Sequence, residues 1–173
     1  TNLTSISFPN ATSLGDYAFY ECKGLSSIEA TDFPEVTSIG EFCFYGCSDL
    51  WSATGGITSI SFPKCTTIGF SAFDRCSELT SANLPEVTTV GNYAFEYTKL
   101  PEITSTLFPK LTSIGRGAFQ NNLSLTTVSF STDFTLLDIY AFSGCTNLTN
   151  VTLSNLTGKL GQDTFSTCTK LES

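Results

Sequence analysis

The chain has 173 residues and a formal net charge of −8, with 16 acidic residues, eight basic residues and no histidine. An acidic surface repels phosphate groups, which argues against nucleic acid and anionic membranes as partners. No apolar run approaches the roughly 18 residues of a membrane-spanning helix, so we expect no membrane insertion by this segment. Without histidine the chain lacks the commonest general base, and we expect a non-catalytic protein without metal or cofactor.

One unit recurs along the chain: an aliphatic residue, usually a glycine, three further residues and a phenylalanine. The phenylalanines stand 25, 29, 22, 24, 23 and 23 residues apart, at Phe19, Phe44, Phe73, Phe95, Phe119, Phe142 and Phe165. A period of this size is typical of a solenoid, in which each coil contacts only its neighbours and stacking supplies the core. We predict about seven coils that form a single solenoid over residues 1–173, with the phenylalanine rings stacked through its interior.

Each coil contains three predicted elements in the same order. The first coil begins with Thr-Ser-Ile-Ser-Phe at residues 4–8, whose alternation and β-branching predict a strand that ends before Pro9. Copies of this strand are expected to align as one parallel sheet. A second extended piece follows at residues 12–14 and ends at Gly15, where we expect a turn with positive φ. The segment from Ala18 to Cys22 then predicts one helical or 3₁₀ turn.

Three coils carry additional residues. The second coil has three before its proline, the third has the longest insert around Trp51, and the last has one near residues 157–159. Insertions in repeat proteins lie in loops on one face, and that face often binds a partner.

The combined motif resembles the BspA-like, type-5 leucine-rich repeats. That subfamily is marked by Ile-Gly-x-x-Ala-Phe-x-x-Cys followed by Leu-x-x-Ile-x-Phe/Ile-Pro, and the match covers the whole chain. The resemblance implies a right-handed α/β leucine-rich-repeat solenoid with a parallel β-sheet on one side and short helical or 3₁₀ turns opposite. It also implies an extracellular or cell-surface location and adhesion to a protein or glycan at the host or cell surface.

The chain opens inside a repeat, at Leu3 and Ile6, and closes inside one, at Leu171. It lacks an initiating methionine and shows no polar end caps, which solenoids need. We therefore expect a segment of a longer protein, truncated at both ends, with any signal or anchor outside it.

The seven cysteines allow three interpretations. Five occupy one repeat position, which Thr98 and Asn122 fill in the other two coils. Cysteines stacked at that position could form disulfides, and Cys43, Cys47, Cys65 and Cys76 are a possible zinc set. The replacement by threonine and asparagine, together with the odd total, favours buried reduced thiols.

The candidate binding residues are the outward positions of the first strand and the insert tryptophan. They form an almost uncharged hydroxyl surface whose central part, with the insert, comprises Trp51, Thr58, Ser59, Ser61, Thr80, Ser81, Asn83, Glu102 and Thr104. The alternative is a solvated sheet face in which threonine is favoured only by strand propensity. Interfaces usually depend on Trp, Tyr or Arg, and the sheet positions contain none of these residues.

The favoured function is a non-catalytic interaction module of a cell-surface or secreted protein, of the adhesion type, with a protein or glycan as its partner. A curved stack offers a long binding surface that its core holds rigid. A structural stalk that displays another domain and an intracellular scaffold are the alternatives.

Overall fold

A computed structural model describes residues 3–48, 55–130 and 134–172. In these ranges the chain forms short strands joined by turns, and none of the described residues is helical. The strands are, in chain order, Ser13–Leu14 (β1), Ser27–Ile28 (β2), Ser38–Ile39 (β3), Ser59–Ser61 (β4), Thr67–Ile68 (β5), Ser81–Asn83 (β6), Thr89–Val90 (β7), Glu102–Thr104 (β8), Ser113–Ile114 (β9), Thr127–Phe130 (β10), Phe134–Leu137 (β11), Asn150–Leu153 (β12) and Leu156–Leu160 (β13).

The strands stack in columns that run from coil to coil. The odd-numbered strands pair in parallel as one seven-stranded sheet in the order β1-β3-β5-β7-β9-β11-β13. The even-numbered strands form two separate three-stranded sheets, β2-β4-β6 and β8-β10-β12. Equivalent residues face each other, as in the pairs Ser13 with Ser38 and Leu14 with Ile39. The coils therefore stack in the register that the repeat predicts.

The prediction of one sheet from copies of Thr-Ser-Ile-Ser-Phe is wrong. The continuous sheet is built from the second extended piece, the residues just before the repeat glycine. The copies of the first piece pair as predicted within each half of the stack, but the ladder stops between β6 and β8. The residue before β8 is Pro101, which has no N–H to donate to the preceding coil.

The prediction of helical or 3₁₀ turns is also wrong. We call the segments from the repeat glycine to the cysteine position the turn column: residues 15–22, 40–47, 69–76, 91–98, 115–122, 138–145 and 161–168. In the first coil, the N–H groups of Ala18, Tyr20 and Cys22 bond carbonyls three residues back, while those of Tyr17, Phe19 and Glu21 bond the next coil. Three such bonds, 2.8–3.2 Å long, join every pair of successive coils.

Successive N–H groups bond alternately within the coil and to the next coil, and this requires two residues per coil with left-handed backbone. They lie two and six positions after the repeat glycine, as in Tyr17 (φ 58°) and Glu21 (φ 51°), and the same pair of positions is left-handed in all seven coils. Residues other than glycine in this region cost about 1–2 kcal/mol each, so the bonds to the next coil must hold them there. A helix would direct all of its N–H groups along its own axis and leave none for the neighbouring coil.

The repeat glycines after the first coil are needed for space, and neither they nor Gly15 has a positive φ, which corrects the prediction for Gly15 and its equivalents. A Cβ atom on Gly69 would lie 2.8 Å from the carbonyl oxygen of Ile39, and one on Gly91 would lie 2.7 Å from that of Ile68. Real Cβ atoms do not approach backbone so closely. Asp138, which replaces the glycine in the sixth coil, has no positive φ either.

The predicted phenylalanine stack is confirmed. The ring centroids of Phe19, Phe44, Phe73, Phe95, Phe119, Phe142 and Phe165 lie 5.1–5.6 Å apart, and successive ring planes differ by 2–13°. The five inner rings are fully buried. Offset-stacked aromatic pairs contribute roughly 0.5–1.5 kcal/mol each beyond area burial, so the stack adds to the stability of every junction between coils.

The glycine contacts predict opposite effects for two equivalent substitutions. Gly91→Ala should lower the free energy of unfolding by about 1–3 kcal/mol, because its new methyl group overlaps backbone of the preceding coil. Gly15→Ala should be neutral or slightly stabilising, because nothing lies within 4 Å of its Cβ position. Urea denaturation followed by circular dichroism measures both, and equal effects at the two sites would contradict the packing explanation.

Candidate functional site

The structure brings most of the predicted binding residues together but divides them into two groups. Ser59 and Ser61 on β4 face Ser81 and Asn83 on β6, and the Asn83 amide donates to the Ser61 hydroxyl at 2.9 Å. Glu102 and Thr104 lie on β8, in the other sheet. The predicted surface is therefore interrupted. Trp51 lies outside the described residues.

The hydroxyls of Thr58 and Thr80 on this surface are occupied within the stack, whereas that of Thr104 has no partner among the described residues. Thr58 Oγ1 donates to the carbonyl of Ser26 at 3.0 Å, and Thr80 Oγ1 donates to that of Thr58 at 3.2 Å. Thr126 and Thr149 repeat the pattern in later coils. A second column beside the seven-stranded sheet does the same at Thr37, Thr66, Thr88, Thr112 and Thr135. These threonines add hydrogen bonds between coils, which explains much of the threonine pattern structurally.

A cavity of about 210 Å³ lies where the two three-stranded sheets separate, and we call it the Pro101 notch. Its lining consists of residues 80–82 on one side and Leu100, Pro101, Glu102 and Leu107 on the other.

A second cavity, of about 240 Å³, lies between the third and fifth coils. We call it the corner pocket, and its lining includes Arg75, Ser77, Tyr97, Thr98, Lys99, Asn121, Leu123 and Ser124.

The corner pocket coincides with an irregularity in the repeat. Two residues separate the cysteine position from the next leucine in most coils, as in Cys76-Ser77-Glu78-Leu79. Only Lys99 separates Thr98 from Leu100. The Lys99 N–H bonds the carbonyl of Leu79 in the preceding coil, whereas the equivalent Lys23 bonds back to Glu21. The short connection leaves a recess between its two longer neighbours, and sequence reasoning missed this signal.

The side chains of the corner pocket are held by their neighbours. The Arg75 guanidinium lies 5.1 Å from the centre of the Tyr97 ring. Lys99 Nζ lies 2.9 Å from both carboxylate oxygens of Glu78. Tyr97 is 41 % exposed and Leu123 57 % exposed. The pocket thus combines a cation, an aromatic ring and an accessible aliphatic side chain.

Asp74 precedes Arg75, a lining residue of this pocket, and is only 7 % exposed. Its Oδ2 accepts a 3.4 Å hydrogen bond from Ser71 Oγ, while Oδ1 is buried without a partner among the described residues. Burial, with a smaller contribution from the Glu96 carboxylate, raises the pKa of Asp74 to about 7. Burial also raises the pKa of Glu96, which accepts a hydrogen bond from Asn121.

The seven cysteines are buried, and none of them forms a disulfide bond in the described part of the chain. At the common repeat position, Cys47, Cys76, Cys145 and Cys168 each donate to the carbonyl of the phenylalanine in the preceding coil at 3.0–3.2 Å. Asn122 makes the same bond with its amide, to Phe95 at 2.8 Å, and Thr98 donates to Asn122 at 2.5 Å. Asn122 therefore takes over the hydrogen bond of the thiol, as the sequence predicts, whereas Thr98 donates to Phe95 of its own coil and to Asn122 of the next coil.

Two further properties concern the described ranges as a whole. No three His, Cys, Asp or Glu side chains in them are grouped closely enough to hold a metal ion. They also contain no helix with the length and apolar character needed to cross a bilayer.

The stacked coils, the columns of equivalent residues and the phenylalanine stack define a leucine-rich-repeat solenoid. The sequence model of one protein family, the BspA type leucine rich repeat region, matches the chain in six copies, over residues 1–104 and 51–172. The chain belongs to this family, whose repeats generally serve in protein interaction and are generally non-catalytic. No curated protein sequence matches the chain.

Two solved structures are similar over 94 % of this chain. A leucine-rich repeat protein from Bacteroides ovatus ATCC 8483 is 30 % identical with a TM-score of 0.73, and the match covers 40 % of that protein. A leucine rich repeat protein from T. pallidum is 19 % identical with a TM-score of 0.59; the match covers 79 % of that protein and shows likeness of fold alone. The chain thus spans well under half of the B. ovatus protein.

The thiol environment predicts low reactivity in the folded protein. Burial raises the pKa of Cys43, Cys47 and Cys145 to about 12, so at pH 8 only about one such thiol in 10,000 is the reactive thiolate. A disulfide-exchange reagent should modify these three cysteines negligibly in native buffer, and all seven cysteines within minutes in guanidinium chloride. A denatured count of five or fewer would instead show that cysteines are paired.

The buried carboxyl predicts a pH-dependent stability. Asp74 has an ordinary pKa of 3.8 when unfolded, so between pH 4 and 7 the folded state binds more protons and stability falls as pH rises. After allowance for solvent screening we expect a loss of about 1–2 kcal/mol, complete above pH 7. Asp74→Asn should flatten this part of the profile, measured by urea unfolding from pH 4.5 to 8. Parallel profiles for the two proteins would contradict the assignment.

Proposed function

We propose that this chain is a non-catalytic interaction module of a cell-surface or secreted protein, and that the corner pocket is its principal contact site for a protein partner. The observation that carries the proposal is the exposure of Tyr97 and Leu123 in one cavity beside Arg75. The other large hydrophobic side chains exposed in the described ranges all lie in the first or last coil: Leu3, Phe8, Tyr17, Tyr20 and Leu160.

The residue types at this site favour a protein partner. Tyrosine and arginine are over-represented among the residues that dominate binding energy in protein interfaces. The pocket volume of about 240 Å³ lies below the roughly 300–1,000 Å³ of typical small-molecule sites, and is better suited to a single inserted side chain. The backbone N–H of Tyr97 bonds the Gln120 carbonyl in the next coil and the Arg75 guanidinium lies over its ring, so little ordering entropy is lost on binding.

The predicted sheet surface would provide the polar margin of this interface. Ser59, Ser81 and Asn83 present small hydrogen-bonding groups in one sheet, and Thr58 and Thr80 have their hydroxyls engaged already. Such groups improve the fit between the two interacting surfaces more than they raise the affinity. Trp51 would be a second anchor in the same module. Adhesion to a host protein or glycan is the biological setting that the family favours.

A structural spacer is the second candidate. The two threonine columns favour it, because their hydroxyls bond the preceding coil and leave the strand surface with few free donors. Such a spacer would depend on length and rigidity, and would not need the corner pocket.

The interaction proposal predicts a position-specific loss of binding. The protein is tested by surface plasmon resonance against a panel of immobilised host matrix proteins. For any protein bound, Tyr97→Ala should weaken binding at least about tenfold, because it removes the aromatic wall of the pocket. Tyr20→Ala is the matched control, since Tyr20 is 42 % exposed but lies in the first coil.

Three results would change the conclusion. Equal losses for Tyr97→Ala and Tyr20→Ala would remove the corner pocket as the contact site. A loss with Trp51→Ala alone would move the site to the third-coil insert. The absence of binding to every panel member would favour the spacer.

A further inference from the structure

We propose that the Pro101 notch receives a basic side chain, lysine or arginine, from the protein partner. This inference rests on the proposed interaction function and adds the chemistry of a second contact. Its physical origin is a hydrogen bond between coils that the fifth coil cannot make.

At four other coil junctions along this column, the residue before the strand (Thr58, Thr80, Thr126 or Thr149) bonds the preceding coil. The N–H and hydroxyl of Thr80 both donate to the carbonyl of Thr58, at 3.0 and 3.2 Å. Thr58 bonds Ser26 in the same way, and Thr149 bonds Thr126. The equivalent residue of the fifth coil is Pro101, which has neither an N–H nor a hydroxyl.

One acceptor on the edge of the notch is left without a donor as a result. The carbonyl of Thr80 receives no hydrogen bond from the described part of the chain. Thr80 lines the notch, so a ligand that donates hydrogen bonds can supply the donor that Pro101 lacks.

The charge of the notch is negative. Glu102 is exposed and forms no ion pair with the described residues. Glu35, Glu78 and Glu86 differ, because each is paired with a lysine of the following coil. No basic side chain lines the notch. An unpaired carboxylate on a chain of net charge −8 therefore attracts a cation.

The remaining lining selects the kind of cation. Ala82, Leu100 and Leu107 provide apolar contacts along which the methylene groups of lysine or arginine can lie. A divalent metal ion would need several oxygen ligands at once, and the described residues supply no cluster of carboxylates here. The volume of about 210 Å³ accommodates one side chain. A basic side chain matches the charge, the unpaired Thr80 carbonyl and the apolar lining together.

The experiment uses two peptides that differ only in charge. Acetyl-Gly-Arg-Gly-amide and its citrulline analogue are titrated into the isotope-labelled chain, and amide shifts are followed by NMR. The arginine peptide should produce saturable shifts at residues 80–82, Glu102 and Leu107, and it should bind at least fivefold more tightly than the citrulline peptide. Equal affinity for the two peptides, or no shift at these residues, would overturn the proposal.

Two variants test the site independently of peptide choice. Glu102→Gln should reduce the arginine affinity to that of citrulline, while the matched Glu29→Gln, at an exposed acid of the second coil, should not. Pro101→Thr restores the missing donors and should abolish binding by closing the ladder between β6 and β8. Arginine binding unchanged in Glu102→Gln would overturn the proposal even if Pro101→Thr does not fold.

Failure here is distinguishable from failure of the proposed function. If Tyr97-dependent binding to a panel protein persists while the arginine peptide does not bind, the interaction function stands and the notch assignment is wrong. If the arginine peptide binds but Glu102→Gln leaves the affinity for that panel protein unchanged, the notch does not contribute to partner recognition.

Discussion

Each coil donates three backbone hydrogen bonds from its turn column to the coil that follows, and the rest of the structure is arranged around these bonds. They require alternate N–H groups to point along the stack, which in turn requires two left-handed residues in every coil. The resulting distance between coils places successive phenylalanine rings 5.1–5.6 Å apart. It also brings backbone so close to Gly69 and Gly91 that no side chain fits there.

The structural role of the strictly repeated residues could be predicted from residue type. Phenylalanine at a fixed period predicts the interior stack, and Thr98 and Asn122 at the cysteine position indicate a hydrogen-bonding role from residue type alone. The backbone of the turn could not be predicted in this way. Tyr17, Phe42 and Arg75 adopt positive φ although their residue types give no sign of it, because bonds to the next coil impose the conformation.

The candidate site was predicted only in part for a related reason. Outward threonines suggested a recognition surface, but a hydroxyl on a strand can bond either a ligand or the neighbouring coil, and the sequence does not distinguish the two. The more informative signals were departures from the repeat. Lys99 replaces a two-residue connection, and Pro101 replaces a hydrogen-bonding residue, and these two changes lie next to each other on either side of Leu100.

The seven-stranded sheet and the turn column limit how far the structure can adjust to these departures from the repeat. The seven-stranded sheet and the turn column pass through the fourth and fifth coils without interruption, so they fix the spacing of the coils on both sides. The coils cannot fill the recess at Lys99 without breaking those bonds, and the ladder beside Pro101 stays open because proline supplies no donor. A closely packed stack therefore turns two small changes in sequence into two persistent cavities, one lined by Arg75 and Lys99 and the other by Glu102. Arg75 at one cavity and the unpaired Glu102 at the other carry opposite charges, so complementary charges on a partner that contacts both cavities would match in one orientation only.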